Sequence, residues 1–387
     1  MSQAIPRIAI IAGEPSGDVL GARLMTALQR ATGGALCLEG IGGEQMIKAG
    51  LKSRIPMGEL SHMGIVELLP HLPLLLRRIR ETTAWLKNAP PDLLVTIDAP
   101  GFNVRLARGL RGSAIPQLHY VAPTVWAWKP KRAAAFAQIF DHLLALLPFE
   151  PPYFTIHGLA CTYVGHPALE TMAGAPDGPG FRRRHGISPT APVVCLLPGS
   201  RAFELRRLMP HFTAAVRRIA QRHPGLHIVL PTVAPVASMA EEGARGFGVP
   251  VTLIADPAEK RDAFAAGNAA LAASGTVAVE LAVVGTPAVI AYRTNPISAA
   301  IARRMITVKY ASLINLLLER EATPELLQEN CRSELMADAI DRLLSDPAAR
   351  AAQAAAYGEA MAKLAVEGRP SDQAAAVALS MLGANRR

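Results

Sequence analysis

Ser274, Gly275 and Thr276 stand directly before an apolar run, and Glu280 follows Thr276 at a spacing of four. A Ser-Gly-Thr turn can open a helix whose first N–H groups lack intrahelical partners, and such a helix start favours a phosphate. Glu280 shares a helical face with Thr276 and can accept hydrogen bonds from sugar hydroxyls. By itself the pattern is more often a plain cap. Four other segments point to the same chemistry.

Leu197-Pro198-Gly199-Ser200-Arg201 is the sharpest electrostatic element. Gly199 permits backbone approach, Ser200 offers a hydroxyl, and Arg201 can grip a phosphate in bidentate fashion, with Glu204 as its support. Asp98 ends an apolar run, as either an N-cap or a general base for a hydroxyl nucleophile; Asn103 can orient substrate or cap the next helix. Gly13 and Gly17 bracket Glu14 and Ser16 in a strand-to-helix turn that is neither a dinucleotide fingerprint nor a P-loop. In it, Ser16 or Asp18 can cap the helix. A second glycine pair, Gly42 and Gly43, is either a substrate-lining loop or a turn. Trp126 and Trp128 share a loop with Lys129, Lys131 and Arg132; the rings can pack structurally, but the adjoining cations favour an anionic ligand nearby. His166 reads as a structural or hinge residue. Residues 62–80 carry Met63, Ile65, Val66, Leu69, Leu72 and Leu75 ahead of Arg77, Arg78 and Arg80. They suit either a core helix with a basic end or a patch resting among acyl chains with its cations on headgroups.

These residues need rigid supports, and the apolar pattern supplies them. Short runs at 8–12, 93–97, 117–121, 142–147, 193–197, 227–230, 269–273 and 288–292 read as buried strands. Amphipathic stretches at 19–31, 74–87, 102–110, 131–138, 204–222 and 276–284 read as helices. This alternation predicts an α/β chain with parallel sheets covered on both faces. Each motif follows a strand directly, where open parallel sheets bind ligands. At 387 residues two domains are expected. The division is 1–170, a Gly-, Pro- and Arg-rich linker at 171–190, 191–345, and terminal helices over 346–387.

Net charge is +9, which suits an anionic partner. Nucleic acid is the least fitting, because the basic residues are not interleaved with aromatics. Cys37, Cys161, Cys195 and Cys331 are scattered, which argues against a zinc site or a disulfide framework and fits a reducing compartment. The run at 8–12 is too short for a secretory leader. Residues 264–292, the least charged region, hold Glu280 and Pro287 and read as buried strand–helix–strand, not a membrane span.

Taken in order, AGEPSGD at 12–18, WAWKPKR at 126–132, PFE at 148–150, VGHP at 164–167, LPGSR at 197–201, ASGT with Glu280, and PELLQ at 324–328 resemble the lipid-A-disaccharide synthases. The resemblance implies two Rossmann-like domains facing a cleft (the GT-B glycosyltransferase type), with C-terminal helices packing back toward the first. It implies inverting transfer of 2,3-diacylglucosamine from UDP to the 6-hydroxyl of 2,3-diacylglucosamine 1-phosphate, with no metal or cofactor. Asp98 and Glu14 carry over as the catalytic carboxylates. Arg201, Ser200, Ser274, Gly275, Thr276 and Glu280 carry over as the UDP-sugar site, with Tyr310, Ser312, Asn315 and Gln328 lining it. Ser16, Asn103, Trp126, Trp128, Lys129 and Arg132 fall on the acceptor side with the 62–80 patch. The implied partners are the two lipid substrates and an anionic membrane surface, at the cytoplasmic face of the inner membrane, with room for a homodimer. Gly101 departs from the family pattern, which commonly has a second acid there. From the residues alone, a soluble UDP-N-acetylglucosamine transferase or epimerase and a non-catalytic nucleotide-sugar or anionic-lipid binding module stay open.

Overall fold

The computed structural model describes residues 5–60, 72–128, 130–295, 299 and 303–384. Its strands, β1 (Arg7–Ala12), β2 (Cys37–Ile41), β3 (Leu93–Ile97), β4 (Gln117–Tyr120), β5 (His142–Ala145) and β6 (Ala160–Tyr163), form one parallel sheet in the order β2-β1-β3-β4-β5-β6. A second parallel sheet runs β12-β11-β10-β7-β8-β9, from β7 (Val193–Leu197), β8 (His227–Pro231), β9 (Val251–Ile254), β10 (Ala269–Ala272), β11 (Ala288–Tyr292) and β12 (Glu325–Leu327).

All eight expected strands are present. The four that were not expected, β2, β6, β9 and β12, are the outermost strands of the two sheets. The reason is burial. The central strands β3, β7 and β10 are buried at every position and so read as unbroken apolar runs. Edge strands such as Ala160–Tyr163 and Glu325–Leu327 keep partial exposure and carry polar side chains, so no such run marks them.

The helices that bear on the site are α1 (Pro15–Thr32), α2 (Leu72–Asn88), α3 (Pro100–Gly109), α4 (Arg132–Ala137), α5 (Gly178–Arg184), α6 (Ala202–Arg222), α7 (Lys260–Ala266), α8 (Val277–Val284), α9 (Leu313–Leu318), α10 (Ser333–Ser345), α11 (Pro347–Leu364) and α12 (Pro370–Ala384). Pro15 occupies the first turn of α1, where its missing N–H has no helical partner to lose, so the helix starts a turn earlier than its apolar face suggests.

The chain divides into two compact units, Met1–Glu170 with Val366–Arg387, and Thr171–Ala365. In the first, one face of the sheet packs on α1 and α12, with Ala374, Ala375, Ala378 and Leu382 joining Ile8, Leu24 and Leu28 in one cluster. The terminal helices therefore part company: α11 belongs to the second unit and α12 returns to the first, tied there by Arg30 to Asp372 and by Ser371 to Glu170. The stretch expected as a linker is also folded. Asp177 caps α5 through Gly180 N (2.7 Å), and Arg182 donates to the Ala266 carbonyl and to Asn268 Oδ1 within the second unit.

Candidate active site

In the first sheet the chain leaves β1 for β2 on one side and returns to β3 on the other. This reversal opens a crevice beyond the carboxyl ends of β1 and β3. Gly13 and Glu14 follow β1, and Asp98 follows β3. The two loops touch, for a Cβ on Gly13 would lie 2.7 Å from Ala99 Cβ. Asp98 and Ala99 both hold left-handed backbone, at φ 48° and 45°. Such conformations are costly for non-glycine residues and gather at functional sites. Val121, at the end of the neighbouring β4, adds a third at φ 82°.

Asp98 is not the N-cap of α3, because Ala99 holds that position. Asn103 requires a correction. It is fully buried and does not cap α3. Its Nδ2 donates to the carbonyls of Ile97 (3.0 Å) and Asp98 (2.8 Å), so it anchors the left-handed turn that carries Asp98. Glu14 sits half-buried before α1, and Ser16 is exposed on its first turn. Asp18 is buried and accepts from the N–H groups of Gly43, Gln45 and Met46, which makes the Gly42–Gly43 segment a capped turn.

The tryptophan loop separates into two roles. Trp126 is buried, packs edge-to-face on Phe149, and donates its indole N–H to Glu150 Oε1 at 3.0 Å. Its expected place at the ligand is therefore corrected to the core. Glu150 also accepts from Leu146 N and Leu147 N, and burial pushes its carboxyl up to about 7 against those three donors. Trp128 stays half-buried, with the Arg132 guanidinium 5.9 Å from its ring centroid. Lys129 lies outside the described residues. His166 is buried, accepts from Ala168 N, and is pushed down to about 4 by desolvation, as suits a structural residue.

The expected lipid patch is revised at one position, Leu75. Met63, Ile65, Val66 and Leu69 lie outside the described residues. Leu75 is buried with Phe102 and Leu106 in the core under α2, not presented to acyl chains, and Leu72 is half-buried. Arg77 pairs with Glu81 (2.7 Å), and Arg78 pairs with Glu59 (2.6 Å) and Glu81 (2.7 Å).

The second sheet repeats the arrangement. Its reversal lies between β7 and β10, and Ala273 N donates to the Leu197 carbonyl at 2.7 Å, so the two predicted phosphate loops leave adjacent strand ends. Gly199 has φ 118°, and a Cβ there would meet Glu204 Oε2 at 2.4 Å, which leaves only glycine. The buried Glu204 accepts from Ser200 N (3.0 Å) and Arg201 N (3.2 Å) and pairs with the Arg201 guanidinium (3.4 Å). Gly275 and Thr276 are exposed at the start of α8, which no side chain caps. Glu280 meets Lys260 Nζ on α7 at 2.6 Å. Lys260 had no local signal, since it lies twenty positions away on another helix.

Ser274 Oγ reaches the Ala311 carbonyl at 3.4 Å, which joins the 310–315 segment to the loop. That segment is held by Glu325 of PELLQ, a residue the sequence reading passed over. Its carboxylate accepts from Ala311 N (2.8 Å), Ser312 N (2.9 Å) and Asn315 Nδ2 (2.7 Å). Asn315 is fully buried, with its amide oxygen accepting from Ala322 N and Thr323 N. It and the buried Ser312 are thus corrected from lining residues to scaffold. Gln328 accepts from Thr294 N at 3.3 Å, and Tyr310 stays half-buried beside Lys309.

Comparison with known proteins agrees with this arrangement. A family model described as lipid-A-disaccharide synthetase matches residues 8–379. The chain is 53% identical over 348 residues to the lipid-A-disaccharide synthase of Rhodospirillum centenum, a match spanning 89% of this chain and 87% of that one. It is 47% identical over 376 residues to that of Paramagnetospirillum magneticum, across 96% of each. The calicheamicin glycosyltransferase shares its fold, with a TM-score of 0.60 over 99% of both chains at 18% identity. A match over nearly the whole length, with strand-end motifs in both sheets, makes this chain a member of the lipid-A-disaccharide synthetase family.

Proposed function

We propose that this enzyme makes the lipid A disaccharide with Asp98 as its base and with Arg201 and the 274–276 turn as the holder of the departing UDP. The substrates are UDP-2,3-diacylglucosamine and 2,3-diacylglucosamine 1-phosphate. The acceptor's 6-hydroxyl oxygen attacks the anomeric carbon on the face opposite UDP, and its proton passes to the Asp98 carboxylate. The bond from the anomeric carbon to the diphosphate oxygen breaks, and UDP keeps the electron pair. Arg201 and the uncapped start of α8 offset the charge that grows on the diphosphate. Glu14, on the loop that touches the Asp98 turn, orients the acceptor hydroxyl. Glu280, steadied by Lys260, binds donor hydroxyls.

The observation that carries the reading is the left-handed pair Asp98–Ala99 at the sheet reversal, anchored by Asn103 and wedged against Gly13. Acylated substrates and a net charge of +9 favour work at an anionic lipid surface as a peripheral protein, on the cytoplasmic face of the inner membrane. Among the described residues no helix is long and apolar enough to cross a membrane.

The test is UDP release with both lipids. Asp98→Asn is expected to lower kcat by about 10²–10⁴ with both KM values kept, the range for loss of a general base. Arg201→Ala is expected to raise the donor KM. Near-normal turnover in Asp98→Asn with loss in Glu14→Gln would transfer the base to Glu14.

A further inference from the structure

Helices α3 and α4 flank an open cavity of about 320 Å³ that no step of the reaction above uses. Along α3 it is lined by Gly101, Val104, Arg105 and Arg108, which recur on one helical face. From α4 come Arg132, Ala135 and Phe136. The floor is thus apolar and the rim carries three guanidinium groups. Among the described residues none of these three arginines has an ion-pairing carboxylate, whereas Arg77 and Arg78 on α2 are both paired. Arg132 lies 6.0 Å from the Phe136 ring centroid and 5.9 Å from that of Trp128, at the outer reach of a cation–π contact.

Gly101 matters to this balance. A carboxylate at 101 would stand one helical turn before Arg105 and pair with it. With glycine there, Arg105 donates only to the Gly101 carbonyl of its own helix and keeps donors for a ligand. A Cβ at 101 would meet nothing within 4 Å, so no packing demand explains the glycine.

We propose that this cavity is the acceptor's phosphate subsite. Arg105, Arg108 and Arg132 hold the 1-phosphate of 2,3-diacylglucosamine 1-phosphate, and Val104, Ala135 and Phe136 cover the first part of an acyl chain. The inference rests on the reading of Asp98 as base, since Gly101 follows it by three residues and the cavity lines the helix that Asp98 precedes. Chemistry supports it as well. The 1-phosphate is unchanged by the reaction, so gripping it supplies binding energy that orients the hydroxyl without resisting turnover. A planar guanidinium suits a phosphomonoester better than a carbonyl or a hydroxyl, and apolar lining with a few convergent charges is the usual make-up of a small-molecule site.

The test compares the phosphorylated acceptor with the same diacylglucosamine lacking its 1-phosphate. Arg105→Gln/Arg108→Gln is expected to raise the KM of the phosphorylated acceptor about tenfold or more, as loss of charge-assisted hydrogen bonds implies. The donor KM and the KM of the dephosphorylated acceptor should stay within about twofold. Gly101→Asp, which has open space, is expected to move the phosphorylated acceptor's KM the same way, and it carries the test if the double variant fails to fold. Equal losses for both acceptors, or no change in either, overturn the proposal. Sedimentation with phosphatidylcholine vesicles, with and without phosphatidic acid, separates the two phosphomonoester sources. If the double variant loses only vesicle binding and keeps its acceptor KM, the cavity reads membrane headgroups and the acceptor subsite is refuted. If wild type turns over neither acceptor, the base assignment and function fail first, and the vesicle arm alone reports on the cavity.

Discussion

The carboxyl ends of β1 and β3 meet where Gly13 faces Ala99, so closely that a Cβ on residue 13 would come within 2.7 Å of Ala99 Cβ. Ala99 is itself in left-handed backbone at φ 45°, the residue after Asp98. Gly13→Ala is therefore expected to push the Asp98 turn aside. It should cost about 1–3 kcal/mol, typical of overpacking, and lower kcat more than ten-fold, in line with the effect of misplacing a reacting group by an ångström. Adding Ala99→Gly removes the clashing Cβ and relaxes a left-handed alanine, so the double variant should recover both activity and melting temperature. Failure to recover would mean that Gly13 acts on something other than Ala99.

Asn103 Nδ2 donates to two successive carbonyls, those of Ile97 and Asp98. Asn103→Asp replaces that donor with a buried carboxylate facing two oxygens. The expected cost is about 2–4 kcal/mol, above that of a neutral lost bond, with kcat reduced and UDP affinity unchanged. Calorimetric UDP binding alongside steady-state rates checks this, and wild-type kcat in the variant would remove Asn103 from its anchoring role.

Glu150 ties the Trp126 loop to the turn after β5 while its carboxyl is pushed from 4.5 up to about 7 by burial. A raised carboxyl favours the protonated folded state, so its contribution is fully present below about 4.5 and is lost as pH rises to about 7. Buried His119 and His166, pushed down to about 3 and about 4, act oppositely and destabilise the fold as pH falls below 6.5. The Glu150 effect therefore shows in the difference between wild type and Glu150→Gln. Relative to the variant, wild type should lose about 1–3 kcal/mol between pH 4.5 and 7, as the linkage relation gives for a shift of this direction and size. A pH-independent difference in urea unfolding would show that folding does not raise the Glu150 carboxyl.

Glu325 accepts three hydrogen bonds from the 311–315 segment, and Ala311 in turn receives Ser274 Oγ. Glu325→Ala leaves those donors without their acceptor, at an expected cost of about 2–3 kcal/mol, and loosens one wall of the Ser274 loop. UDP should bind several-fold more weakly while the acceptor KM holds. If the variant is destabilised yet binds UDP normally, Glu325 supports the fold without reaching the donor site.

The residues proposed for the site were legible from the chain because each stands beside a local signal. Asp98, Gly13, Arg201 and Ser274 all follow apolar runs, and a strand buried on both faces must be such a run, so strand ends and their loops could be read directly. The parallel α/β class and the eight central strands followed for the same reason. What hydrogen-bonds to what is decided by residues distant in sequence, and only the tertiary structure supplies it. Lys260 meets Glu280 across two helices, Glu325 grips a segment before its own strand, and Glu150 holds Trp126 in the core. Asn103, Asn315 and Leu75 look like site or surface residues in the sequence. Burial, which depends on every other part of the fold, makes them scaffold. The edge strands β2, β6, β9 and β12 escaped for a related reason: a half-exposed strand needs no apolar run, and only its neighbour in the sheet makes it a strand.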